Sequence, residues 1–228
     1  LKSHENKSLR FIDLLSEDEN KEDELLYLLS QCKDRDEINQ VDSDGKNLLM
    51  HAIERGYKAL VDCLISNPLF LKGETDNMGK TVLIYAVENG YSDIVYKLLP
   101  SCGGGVWTNY CSSSLVDNFN RDALMYAAMT GQVELFIYLL SKRSEFNMID
   151  SEGNSILIYA AKNSNLDIIC ALFLKKHTQK TIDINIKDRD GVTPLMWAAR
   201  NENSDLVSLL LSLNADISIK DQYGFSAI

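Results

Sequence analysis

The feature that most constrains the fold of this chain is a four-residue motif, Asp-x-x-Gly, that recurs along it. Its copies begin at Asp42, Asp76, Asp150, Asp188 and Asp221. A sixth copy begins at Asp117 and has Asn120 in place of the glycine. Each copy predicts a turn, because aspartate bonds nearby backbone N–H groups while glycine or asparagine tolerates positive φ. The aspartates are 34, 41, 33, 38 and 33 residues apart, a spacing typical of repeat proteins.

A polar residue and a short apolar segment follow each turn. The polar residues are Asn47, Thr81, Asp122, Ser155 and Thr193. Such side chains cap free backbone N–H groups, so each predicts the start of a first helix. A small residue five positions later allows close helix approach, at Ala52, Ala86, Ala127, Ala160 and Ala198. Gly56, Gly90 and Gly131 then predict left-handed helix ends, and Ser164 and Glu202 hold that place in two copies.

A second helix is predicted after each of these positions, because pairs of apolar residues recur four positions apart. Leu60-Val61 and Leu64-Ile65 show this pattern, which marks one buried helical face. Equivalent pairs occur at 94–95 and 98–99, 135–136 and 139–140, 168–169 and 172–173, and 206–207 and 210–211. Three residues before a turn aspartate stand Asn39, Asn147 and Asn185, with Ser218 in the last copy.

The combined pattern resembles the ankyrin-repeat family over roughly residues 25 to 228. The resemblance implies an all-α solenoid of stacked helix–turn–helix repeats with projecting β-hairpin loops. One departure is systematic. The family has a histidine that ties neighbouring repeats together, and this chain has apolar residues there, at Met50, Ile84, Met125, Ile158 and Met196. We therefore expect apolar contacts in place of that histidine network.

The spacing predicts seven segments. Residues 1–41 form a degenerate N-terminal capping repeat, with an irregular helix at 8–15, an acidic connection at 16–24 and a second helix from Leu25. Repeats follow at 42–75, 76–116, 117–149, 150–187 and 188–220, then a truncated repeat at 221–228. Because the chain starts at Leu1 without methionine and stops inside a copy, we expect a fragment. Insertions at 100–116 and 174–187 mark either a binding face or tolerated surface loops.

Composition narrows the partners. The formal net charge of -10 disfavours nucleic acid and anionic membrane surfaces, and it favours partners with a basic patch. The chain contains no apolar run near the roughly 20 residues of a membrane helix. Five scattered cysteines indicate a reducing compartment rather than a disulfide framework. We therefore predict an intracellular, cytoplasmic, monomeric protein.

No set of residues predicts catalysis, a metal site or a cofactor. Residues 73–81 approximate a phosphate-binding loop, but five residues separate the glycines where that motif needs four. Cys102, Cys111 and His177 could meet only through loop folding, so free thiols are the simpler interpretation. The carboxylates are spread over turns and helix surfaces, as on a solvated acidic surface, and no acid–base pair is assigned. The chain is predicted not to be an enzyme.

A ladder of rings is the first candidate binding surface. The position before the small residue holds His51, Tyr85, Tyr126, Tyr159 and Trp197. Rings at one register would make a continuous amphipathic stripe with the character of binding hot spots. The alternative is that the rings pack between first helices and fill gaps. The sequence alone does not decide between these two roles.

The turns and the ends of the first helices are the second candidate. The resemblance implies variable partner contacts there, including Met78, Phe119, Arg121, Met129, Lys162, Asn163, Arg200 and Asn201. Exposed Met78, Phe119 and Met129 would form an apolar centre with a charged rim, which is typical of recognition patches. Trp107 in the first insertion would extend this surface.

Two functions fit these predictions. The first is a non-catalytic interaction module, an adaptor or scaffold that holds a protein or peptide in a concave groove and at the hairpin tips. The second is a regulatory or targeting ankyrin segment of a larger multidomain enzyme, such as a protein kinase, with the catalytic domain elsewhere. No nucleic-acid, membrane or cofactor partner is predicted in either case.

Overall fold

The computed structural model describes residues 10–15, 21–71, 73–99, 115–142, 148–174 and 182–227. They form two compact units, Leu1–Asp117 and Asn118–Ile228, which we call unit 1 and unit 2. Both units are built from pairs of short helices joined by tight turns. The two insertions lie largely outside the described residues, and so do Trp107, Cys102, Cys111 and His177.

Unit 1 contains seven helices in its described residues. They are α1 (Arg10–Leu15), α2 (Glu22–Gln31), α3 (Arg35–Ile38), α4 (Leu48–Glu54), α5 (Lys58–Ser66), α6 (Val82–Glu88) and α7 (Ser92–Leu98). The first helices α4 and α6 pack against each other, and each packs against its own second helix, α5 or α7. Helix α2 packs on α5, and α1 contacts α2 and α4. The amino-terminal helices therefore extend the same two-layer stack.

Helix α2 begins earlier than the sequence predicts. The acidic stretch expected to be a connection supplies its first turn, with Glu22, Asp23 and Glu24. Acidic residues stabilise a helix amino terminus by interacting with its dipole. The Glu22 carboxylate also accepts the backbone N–H groups of Ala59 (2.9 Å) and Leu60 (3.2 Å) at the start of α5. These acidic residues therefore start one helix and cap another.

Unit 2 contains three helix pairs in its described residues. They are α8 (Ala123–Thr130) with α9 (Val133–Ser141), α10 (Ile156–Lys162) with α11 (Leu166–Leu174), and α12 (Pro194–Arg200) with α13 (Ser204–Ser212). The first helices α8, α10 and α12 pack in series, and α9 also packs on α11. The recurrent alanines, two in unit 1 and three in unit 2, are fully buried, so first helices approach closely in both units.

The predicted capping residues start the first helices. Asn47, Thr81, Asp122, Ser155 and Thr193 each accept the backbone N–H three residues later, at 2.8 to 3.3 Å. At the other end, Gly56, Gly90 and Gly131 have φ angles of 70°, 75° and 72°. Ser164 and Glu202 adopt the same left-handed conformation, with φ of 54° and 55°. The predicted helix limits are confirmed at both ends.

The predicted hairpin loops are tighter than an extended strand pair. In the described residues they are turns closed by single antiparallel bridges, Val41 with Asn47, Thr75 with Thr81 and Ile149 with Ser155. Neighbouring turns bond to one another, as where Asn77 N donates to Asp44 O at 2.8 Å. A Cβ on Gly45 would lie 2.8 Å from that nitrogen, so the close approach requires glycine.

Apolar and amide side chains take over the role of the family's histidine network. The Met or Ile side chains at that position are buried in all five copies, as expected. Asparagines supply polar links between repeats: Asn163 Nδ2 donates to Met129 O at 2.7 Å, and Asn201 Nδ2 donates to Lys162 O at 2.9 Å. These two amides bind the carbonyl end of the preceding first helix.

The left-handed conformation of Glu202 allows a test of the helix-end assignment. We expect Glu202→Gly to raise the free energy of unfolding by up to about 1 kcal/mol, because glycine avoids the steric cost of positive φ. Glu202→Ala is the matched control, since it also removes the exposed carboxylate but keeps the Cβ. Urea denaturation measures both variants. An equal gain in the two variants would contradict the assignment.

Candidate functional site

In four repeats the turn aspartate binds two parts of its repeat. Asp76, Asp150 and Asp188 are buried, and Asp42 is half-buried. In the second full repeat, Asp76 Oδ1 accepts the backbone N–H groups of Met78 (2.9 Å) and Lys80 (2.7 Å). Its other oxygen, Oδ2, accepts the hydroxyl of Tyr85 on α6 at 2.7 Å. One carboxylate therefore closes the turn and attaches it to the first helix.

The same arrangement recurs with chemically different rings. His51 Nε2 lies 2.8 Å from Asp42 Oδ2, and Trp197 Nε1 donates to Asp188 Oδ2 at 3.0 Å. The hydroxyl of Tyr159 donates to Asp150. In all four repeats the ring follows the aspartate by nine residues, and each ring carries a nitrogen or hydroxyl that can donate a hydrogen bond.

Electrostatics favour the charged carboxylate and the neutral phenol. Burial raises the pKa of the Tyr85 hydroxyl, and the hydrogen bond to Asp76 raises it further, so the phenol remains a donor. Burial alone would raise the pKa of Asp150. The bonds from Tyr159, from the Asn154 backbone and from Arg121 outweigh burial and lower the pKa of Asp150 below its ordinary value. The buried charge is therefore compensated within the fold.

Burial of the rings favours the packing alternative for the three tyrosines of the ladder. Tyr85, Tyr126 and Tyr159 are only 3%, 4% and 8% exposed. Trp197 is half-buried and keeps an accessible face. The tyrosines thus offer little area to a partner, while Trp197 remains available for contact. The sequence left this choice open, because a buried ring that donates to a carboxylate and an exposed ring occupy the same position in the sequence pattern.

A groove in unit 1 lies against the turns and first helices of two adjacent repeats. It encloses about 650 Å³ and is lined by Asp44, Lys46, Glu54, Asp76, Asn77, Met78, Lys80, Tyr85, Glu88 and Asn89. Two ion pairs lie along it, Lys46 Nζ to Glu54 at 2.7 Å and Lys80 Nζ to Glu88 at 2.8 Å. Both ammonium groups lie over the Tyr85 ring, 5.5 and 5.7 Å from its centroid. We call this the unit 1 groove.

Met78 gives the unit 1 groove an exposed apolar group. It is 45% exposed at the tip of the turn, as expected for a contact residue. Its backbone N–H is held by Asp76, so the turn that carries it is fixed. An apolar group beside paired charges resembles the centre and rim of a recognition patch.

On the corresponding surface of unit 2, cationic side chains lie against aromatic rings. The guanidinium of Arg121 lies 4.9 Å from the Phe119 ring centroid, and it pairs with Asp150 and Glu152. Lys162 Nζ and the Arg200 guanidinium lie 4.8 and 5.2 Å from the centroid of Trp197. We call these five residues, Phe119, Arg121, Lys162, Trp197 and Arg200, the cation–ring face.

The remaining predicted contact residues differ in exposure. Phe119 and Met129 are half-buried, Arg121 is partly covered, and Trp107 lies outside the described residues. The amides of Asn163 and Asn201, assigned by resemblance to partner contacts, bind backbone carbonyls of the preceding repeat. Their role could have been suspected from the sequence, because both immediately follow a first helix, where backbone carbonyls lack partners.

The described residues hold neither a metal site nor a membrane-spanning helix. Among the described residues, no group of three or more His, Cys, Asp or Glu side chains is placed to hold a metal ion. Within that same part of the chain, no helix has both the length and the apolar character needed to cross a membrane. The glycine-containing stretch at 73–81 includes the Asp76 turn, and Lys80 is engaged by Glu88.

The helix pairs, the capped first helices and the stacked turns define an all-α repeat solenoid. The family model for ankyrin repeats, in three copies, matches residues 14–110, 106–188 and 124–221. The chain belongs to the ankyrin-repeat family. Repeats of this family generally mediate protein–protein interaction, and the family is typically non-catalytic.

Solved structures share this fold. The crystal structure of EF0377, an ankyrin repeat protein, is 25% identical with a TM-score of 0.64, over 82% of this chain and 90% of that one. A chain from the structure of the predatory endopeptidase Bd0816 from Bdellovibrio bacteriovorus, in complex with the immunity protein Bd3460, is 24% identical with a TM-score of 0.66. It has the same coverage of both chains. No curated protein matches the sequence significantly.

The lowered pKa of Asp150 predicts how its contribution to stability depends on pH. An unfolded aspartate has a pKa of about 3.9. A folded-state pKa below that value means that the charged form stabilises the fold above about pH 4. This stabilisation is lost as pH falls through the folded pKa. We expect the destabilisation caused by Asp150→Asn to be largest near pH 6 and to shrink below pH 4.

Urea denaturation at a series of pH values measures this dependence. Glu74→Gln, at an exposed position outside the helices, is the control for the chemical change itself. A destabilisation by Asp150→Asn that stays constant from pH 6 to pH 3 would show that the carboxylate charge contributes nothing.

Proposed function

We propose that this chain is a non-catalytic protein-interaction module that binds a protein or peptide segment along its turns and the ends of its first helices. We call this surface the inner surface. The unit 1 groove is the observation that carries this proposal. It provides about 650 Å³ of accessible space, an exposed methionine and four charged side chains held in ion pairs. Rigid surroundings reduce the entropy lost on binding, so such a surface suits recognition.

The contact residues divide between the two units. In unit 1 the proposed contacts are Met78 and Lys80, and Tyr85 attaches the turn that carries them to α6 through its bond to Asp76. In unit 2 they are Phe119, Arg121, Met129 and Trp197, with Tyr126 and Tyr159 as packing residues. Trp107 remains a proposed contact of the first insertion. Arg, Trp and Phe supply area and directed bonds, and Arg and Trp are frequent hot spots.

Selection from a random peptide library tests the proposal. Peptides of about twelve residues are selected on the immobilised full chain, and their affinities are measured by fluorescence anisotropy. We expect Met78→Ala with Lys80→Ala, or Phe119→Ala with Met129→Ala, to weaken a selected peptide by about tenfold, or about 1.4 kcal/mol. Each peptide should respond to the pair in the unit that binds it.

Ile137→Ala with Leu174→Ala is the matched control. Both residues are exposed and apolar, and they lie on the second helices α9 and α11. This pair should leave affinity unchanged, and circular dichroism should show that every variant is folded. The proposal fails if binding of the selected peptides is weakened by the Ile137 and Leu174 substitutions but by neither pair of substitutions on the inner surface. It also fails if no peptide is selected.

A further inference from the structure

The charge pattern of the inner surface differs between the two units. Two positions of each repeat define this pattern, the residue four after the turn aspartate and the residue twelve after it, and they are in contact in three repeats. In unit 1 these positions hold a lysine and a glutamate in both full repeats, and the two charges neutralise each other at 2.7 and 2.8 Å. In unit 2 the pairs are Arg121 and Met129, Asn154 and Lys162, and Val192 and Arg200. No carboxylate occupies either position in unit 2.

A continuous chain of contacts connects the cations of unit 2. Arg121 Nε donates to Asp150 Oδ2 at 3.0 Å, and Asp150 is contacted by Asn154. Lys162 Nζ donates to Asn154 Oδ1 at 2.6 Å and lies 3.7 Å from Asp188 Oδ2. These contacts place the cations Arg121 and Lys162 of two successive repeats along one surface.

The chain of contacts continues to the third cation through a ring. Asp188 accepts the indole N–H of Trp197, and that ring lies against both Lys162 and Arg200. The cation–ring face is therefore a single surface of unit 2 and not a set of separate side chains.

The acidic partners of these cations are mostly buried, whereas Lys162 and Arg200 are accessible. The side chains of Asp150 and Asp188 are 0% and 5% exposed, and each accepts hydrogen bonds inside its repeat. Lys162 is partly exposed and Arg200 is exposed. Glu152 is the accessible carboxylate of this cluster, and it pairs with Arg121. A partner approaching Trp197 therefore meets positive charge first.

We propose that the cation–ring face binds an acidic segment of a protein partner, with Asp or Glu carboxylates at Lys162 and Arg200 and apolar side chains against Trp197 and Phe119. This inference rests on the proposed function and specifies the chemistry of its partner. The rings restrain the cations through cation–π contacts, so less side-chain entropy is lost when a carboxylate binds. Guanidinium groups also bind carboxylates in bidentate geometry.

The net charge of the whole chain favours the opposite kind of partner, so the charge of the selected peptides distinguishes a local surface from general attraction. A net charge of -10 would by itself attract basic peptides and repel acidic ones. Selection of acidic peptides can therefore not arise from general attraction and would require a local basic surface. The same peptide selection on the full chain supplies the probe, and the selected sequences are compared with the unselected library.

We expect enrichment of Asp and Glu beside apolar residues among the peptides that bind unit 2. Lys162→Gln with Arg200→Gln should weaken such a peptide at least about fivefold, because two charge-assisted contacts are lost. Lys58→Gln with Lys97→Gln, at exposed positions on the second helices α5 and α7, is the matched control: it makes the same change in net charge and should leave affinity for that peptide unchanged. If the double variant is unstable, Arg200→Glu at an exposed position replaces it and should cause a loss of affinity at least as large.

The outcomes separate the two proposals. Peptides that depend on Phe119 and Met129 but are neutral or basic would overturn the acidic-segment inference and leave the proposed function intact. Absence of any inner-surface peptide would overturn both. Equal losses of affinity in the two double variants with glutamine substitutions would attribute the loss to net charge and would also overturn the inference. Tighter binding of an oligothymidylate than of the acidic peptides would assign the cations to nucleic acid and contradict it.

Discussion

In four repeats the turn aspartate, buried in three of them and half-buried at Asp42, accepts two backbone N–H groups of its own turn through one oxygen. Its other oxygen contacts a ring nitrogen or hydroxyl of the following helix. Nine residues separate the aspartate from the ring, so the contact fixes the angle at which the turn leaves the first helix. Stacking of turns depends on this angle, because Asn77 N can reach Asp44 O only if both turns are held in register. The inner surface inherits its shape from the same contact, since Met78 and Lys80 both lie on a turn that Asp76 closes.

The ring type varies while the contact is preserved. Histidine, tyrosine and tryptophan differ in size, but each carries a ring nitrogen or hydroxyl that reaches the carboxylate. The contact satisfies a carboxylate that would otherwise be costly to bury. This explains why the ladder position is never filled by phenylalanine in the five copies. It also explains why an aromatic stripe that resembles a binding surface is largely internal. Among the ladder residues, His51 and Trp197 are half-buried and also contribute accessible area.

Sequence alone predicted the features that depend on local chemistry. Helix starts at Thr81 or Asp122 and the left-handed end at Gly131 follow from capping and from φ preferences within a few residues. Features that depend on contacts between distant residues were missed or left open. The start of α2 in an acidic stretch involves Glu22 capping α5, thirty-seven residues away from Ala59. The burial of Tyr85 and the inter-repeat role of Asn163 likewise depend on packing. The net charge favoured basic partners, yet it averages over surfaces and does not show that Lys162 and Arg200 are accessible beside Trp197 in unit 2.

A double-mutant cycle between Asp76 and Tyr85 tests the central interaction most directly. Asp76→Asn, Tyr85→Phe and the double variant are compared by urea denaturation at neutral pH. If the carboxylate–ring bond organises the repeat, the two substitutions are strongly non-additive, with a coupling free energy of about 1 kcal/mol or more. Additive effects, with a coupling within about 0.3 kcal/mol of zero, would show that turn and helix are held together by packing alone and would contradict the account.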